Sequence, residues 1–64
     1  MDGNDIKSIR KEYGFTQEKL AQVLHVALGT VCRWEHNISP IHPLMARGIL
    51  ATLRDYSLEH GRRV

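Results

Sequence analysis

Apolar residues recur along this chain at the three- and four-residue spacings of an α-helix, in four successive segments. Ile6, Ile9 and Tyr13 mark the first, with Asn4 or Asp5 as its expected cap and Gly14 as its stop. Thr16 is placed to cap a second helix, Glu18 suits its dipole, and Leu20, Ala21 and Leu24 form its buried stripe. After a turn at His25-Val26, a third helix is predicted from Ala27 to His36. Residues set 100° apart divide that helix into two faces. Ala27, Val31 and Trp34 should pack inward with Val26, whereas Leu28, Gly29, Cys32, Arg33 and His36 should face outward.

Asn37 can stop the third helix, because Asn tolerates the left-handed conformation. The connector from Ile38 to His42 is stiffened by Pro40, and Pro43 suits the first turn of a last helix. That helix is predicted over 43–59, with Ala46, Ile49, Leu50 and Leu53 on one face and Leu44, Met45, Tyr56 and Leu58 partly off it. A break near Asp55 would make it two. The pattern therefore predicts an all-α fold of four to five helices, with residues 1–64 forming one domain that ends in a basic tail at 60–64.

The stretch from Thr16 to Glu35 is the most specific part of the pattern. Two short helices joined by so few residues, with the small Ala21 facing the joint, are the sequence form of a helix-turn-helix over residues 16–36. Such a device pushes one helix into a DNA major groove.

Composition narrows the function without deciding it. The 64 residues are 42% hydrophobic and carry a formal charge of +2. Residues 1–32 balance their charges, so the positive excess lies wholly in the second half, where Arg62 and Arg63 supply much of it. That balance permits an anionic partner. The single Cys32 excludes an internal disulfide. Cys32 and His36 lie four apart, but with only His42 as a plausible neighbour they make a poor zinc site, and no metal is expected. No apolar run approaches the roughly 20 residues of a membrane span, and the opening MDGNDI lacks the layout of a signal peptide. The cytoplasm is the expected compartment. No paired nucleophile and base, no phosphate-cradling glycine loop and no small-molecule site is evident, so neither an enzyme nor a cofactor is expected.

With these residues laid out, the chain resembles the Cro and lambda-repressor-like helix-turn-helix family over roughly Ile6 to Leu53. The matching residues are Arg10, Gly14, Thr16-Gln17, Leu20-Ala21, Leu24, Val26, Thr30-Val31, Arg33-Trp34-Glu35 and Pro40. The resemblance implies a compact lambda-repressor-like domain that binds double-stranded DNA, as a small bacterial or phage repressor. It implies a structural ion pair between Arg10 and Glu35, whose carboxylate follows the inward-facing Trp34 and needs a partner. Gln17 would donate to a phosphate, Leu28, Gly29 and Arg33 would meet bases, and Thr30 and His36 would meet the backbone. Ala27 and Cys32 complete the expected DNA-facing set. Arg33 can give guanine the bidentate contact that is the commonest specific one.

Three departures from the family pattern bear on affinity. His25 stands where Gly is usual in the turn, and Ala27 replaces the usual Ser or Thr cap of the reading helix. The connector HNISPIHP holds no Lys or Arg. Since phosphate neutralisation supplies most sequence-independent affinity, a monomer should bind weakly. A homodimer is expected, with helix 43–59 as the candidate seam. The rival reading is a protein-interaction module, or an antitoxin-like partner, that keeps the fold with little specific DNA binding.

Overall fold

The computed structural model describes residues 1–60, so all of the expected basic tail except His60 lies outside the described residues. Four helices occupy them: α1 (Gly3–Glu12), α2 (Gln17–Leu24), α3 (Leu28–Glu35) and α4 (Pro43–Glu59). There is no strand among the described residues. The last helix runs unbroken past Asp55, so four helices are present there, not five.

Helix α1 begins earlier than the expected cap at Asn4 or Asp5. The Asp2 carboxylate accepts the Asp5 N–H at 3.0 Å, and the Asp5 carboxylate accepts the Asp2 N–H at 3.2 Å. This reciprocal box satisfies two of the donors that a helix start leaves open, and it draws Gly3 into the first turn. Gly3 is required there by packing. A Cβ on it would lie 2.6 Å from the Glu35 carbonyl oxygen and 2.7 Å from that of Trp34. The Gly3 N–H donates to Asn37 Oδ1 at 2.8 Å, tying the start of α1 to the end of α3.

The Thr16 hydroxyl accepts the Lys19 N–H at 3.0 Å and so caps α2 as expected. His42 caps α4 through Nδ1, which accepts the Leu44 N–H, and Pro43 opens that helix. Asn37 takes the left-handed conformation, φ 59°, and ends α3.

The core consists of Ile6, Leu20, Ala21, Val31, Trp34, Ile41, Ile49 and Leu53. Each fully buried aliphatic side chain among them contributes about 1.5–3 kcal/mol. Helix α3 packs on α1 and α2, and α4 packs on α2. Two expected inward positions are exposed instead. Ala27 precedes the first turn of α3 and stays at the surface, and Leu50 sits on the shoulder of α4 at 43% exposure. Ideal helical angles place both residues inward, but such angles do not register where the neighbouring helix stops.

Tyr56 is half-buried: its ring meets Phe15 edge-on at 5.5 Å, and Lys19 Nζ lies 5.2 Å from its centroid. It belongs to the packing between α2 and α4. Leu44 and Leu58, by contrast, are 69% and 73% exposed.

Candidate nucleic-acid interface

The turn between α2 and α3 is closed by backbone alone. His25 adopts φ 59° and ψ 42°, the left-handed conformation that Gly takes without strain. The next residue, Val26, donates to the Ala21 carbonyl at 3.0 Å. Ala21 is buried beneath this crossing, where a larger side chain would hold the helices apart. Ala27 then enters α3 with no side-chain cap.

Trp34 and Val31 fix the inner face of α3. Leu28, Gly29, Arg33 and His36 are exposed, and Thr30 is half-buried. The Arg33 side chain turns back along the helix: Nη2 lies 3.4 Å from Thr30 Oγ1, and a Cβ on Gly29 would meet Nη1 at 3.3 Å. Gly29 thus leaves room for the guanidinium over the first turns of α3. His36 follows the helix, and its Nδ1 donates to the Cys32 carbonyl at 2.8 Å.

The one acid of α3 is withdrawn from this surface. Glu35 has a side chain only 1% exposed, and Arg10 on α1 meets it with two hydrogen bonds, from Nε at 2.7 Å and from Nη2 at 3.2 Å. Arg10 Nη1 also donates to the Phe15 carbonyl at 2.9 Å, so one guanidinium joins α1, the loop after it and α3. Burial pushes the Glu35 carboxyl up, but hydrogen bonds from Arg10 and Gln17, with the charges of Arg10 and Lys7, outweigh it. The carboxyl is held below the usual carboxylate range. The outward face of α3 therefore carries one cation, Arg33, and no anion.

Two residues expected on the DNA-facing side are engaged within the protein. Gln17 Nε2 donates to Glu35 Oε1 at 3.0 Å, and the Cys32 thiol donates to Gln17 Oε1 at 3.3 Å. Cys32 is half-buried rather than outward. Gln17 keeps a second amide proton for an external acceptor. Sequence reasoning missed this bridge, because no spacing rule joins positions 17, 32 and 35. It also missed the side-chain bond of Asn37 to Gly3, although it placed Asn37 as the helix stop.

Among the described residues, no group of three His, Cys, Asp or Glu could hold a metal ion, and no helix is long and apolar enough to cross a membrane. A helix-turn-helix family model matches residues 6–60. The chain belongs to that family. Comparison with curated proteins and with solved structures returns no significant match. The helix-turn-helix match runs from within α1 through the end of α4, so it takes in Arg10 and the core of the domain as well as α3 itself.

Proposed function

We propose that this helix-turn-helix domain binds double-stranded DNA sequence-specifically, with α3 in the major groove, as a small transcriptional repressor of the cytoplasm. The observation that carries this reading is the placement of Arg33. It is the one charge on the outward face of α3, with Gly29 clearing its path and Glu35 neutralised behind it. Arg33 is the leading base contact, through bidentate bonds to guanine. Leu28 packs on a thymine methyl, and Gly29 lets the backbone approach closely. Thr30, His36, the backbone at Ala27 and the second amide proton of Gln17 meet phosphates, while Cys32 supports Gln17 from within. Repression by covering a promoter is the simplest output. Two copies on adjacent half-sites would supply the phosphate contacts that one copy lacks.

The exposure of Leu28, at 42%, favours a second reading, a protein-interaction module. Salt dependence of DNA binding separates the two. Affinity for duplex DNA that falls steeply as salt rises supports the first reading, because bound phosphates release counterions. Absence of binding at low salt supports the second.

A further inference from the structure

Two exposed histidines flank the segment between α3 and α4, and hydrogen bonds hold them in opposite tautomers. His36 caps the C-terminus of α3, three residues beyond Arg33 on the outward face. Its Nδ1 lies 2.8 Å from the Cys32 carbonyl oxygen. A carbonyl only accepts, so Nδ1 carries the proton of the neutral ring and Nε2 is a bare lone pair. His42 is the reverse. Its Nδ1 accepts the Leu44 N–H at 3.1 Å, so the neutral ring keeps its proton on Nε2. A second proton therefore acts differently at the two sites. On His36 it goes to Nε2, which becomes a charged donor while the bond to Cys32 persists. On His42 it would displace the Leu44 N–H and with it the cap of α4. The other groups around His36 are already engaged. Arg33 turns back toward Thr30, Glu35 is held by Arg10 of α1 with the charge of Lys7 also acting on it, and the Cys32 thiol donates to Gln17 of α2. Among the described residues, no carboxylate lies within ion-pair distance of the His36 ring.

We infer that His36 is a proton-gated phosphate contact, bonding the DNA backbone through Nε2 only when both ring nitrogens are protonated. This rests on the DNA-binding function proposed above and adds its regulation by pH. A phosphate oxygen offers lone pairs alone, so it repels a bare Nε2 and bonds a protonated one. Imidazole is the side chain whose charge ordinarily changes between pH 5 and 8, where the phosphates of the duplex stay charged. The gain is large for this surface. It takes the outward face of α3 from one cation to two, beside a connector that holds no Lys or Arg. Each copy that binds therefore takes up a proton, and affinity falls as pH rises. His42 adds nothing to this dependence, because its second proton competes with the start of α4.

The test has one arm without DNA and one with it. In the free protein at pH 8, nitrogen-15 spectra of the imidazole rings should show the Nδ1–H tautomer at His36 and the Nε2–H tautomer at His42. An Nε2–H tautomer at His36 overturns the inference, since the neutral ring could then donate to phosphate. In the second arm, anisotropy of a rhodamine-labelled, mixed-sequence duplex of about 20 base pairs reports binding at constant low salt, from pH 6 to pH 8. Wild-type affinity should fall about tenfold per bound copy over that range. His36→Gln should bind with little pH dependence, near the weak level of wild type at pH 8. His36→Lys should also be flat, near the strong level at pH 6. His42→Asn keeps a capping side chain and should retain the wild-type dependence on pH. Position 36 is exposed, and circular dichroism of its variants should match wild type. Wild-type affinity that is constant with pH overturns the inference and leaves the DNA-binding function standing, as does a dependence that survives in His36→Gln. A duplex bound at no pH sinks both.

Discussion

Arg10 and Glu35, 25 positions apart, meet through two N–H···O bonds, with the carboxylate almost wholly buried. The contact locks α1 to the end of α3, and Gln17 adds a third donor from the start of α2. One carboxylate thus gathers the three helices that set the tilt of the reading helix. Removing it strands a half-buried guanidinium and an amide. Glu35→Ala should therefore cost about 3–5 kcal/mol, the range for breaking one partner of a buried pair. Urea unfolding followed by circular dichroism measures this, and an unchanged midpoint would refute the structural role.

The same carboxylate makes stability depend on acid. Its folded-state pKa lies below the ordinary value of 4.5, so the folded protein binds fewer protons than the unfolded chain in this region. The stabilisation is fully present above about pH 4.5 and is lost as pH falls toward and through the lowered folded value. Glu35→Gln removes that titration. The stability gap between wild type and Glu35→Gln should be constant at neutral pH and shrink below pH 4.5. A gap that stays constant down to pH 3 would contradict the shift.

Two departures from the family pattern are locally unfavourable, and each should be reversible by one substitution. His25 holds φ 59° where Gly would be unstrained, so His25→Gly should stabilise by about 0.5–1 kcal/mol. Ala27 starts α3 with extended backbone and no side-chain cap, so Ala27→Ser should add about 1 kcal/mol. Thermal unfolding checks both. The sites lie within one turn, so the double variant also reports whether the effects add.

Much of the fold was legible because helix periodicity and chain punctuation agree. Thr16, Gly14, Asn37 and Pro43 each act where their backbone preferences place them. The helix-turn-helix was legible for the same reason, since a short turn over a small Ala21 leaves few arrangements. What escaped were contacts set by tertiary packing. Asp2 displaced Asn4 and Asp5 as a cap because its box with Asp5 admits Gly3, and Gly3 fits only because α3 ends against it. Cys32 was expected outward, yet its thiol meets Gln17 across the α2–α3 junction. Angles on one helix say nothing about a neighbour's side chain reaching toward it.

Selection of sites from a random duplex library at moderate salt determines whether α3 reads DNA through Arg33. The expected product is an inverted repeat with half-sites about 34 Å apart, one helical turn, each holding a guanine. Selection with Arg33→Ala should return the same repeat with preference relaxed at that guanine, and specific affinity lower by about 1–3 kcal/mol. Folded wild-type protein that enriches no motif, or Arg33→Ala that enriches an identical one, would contradict it.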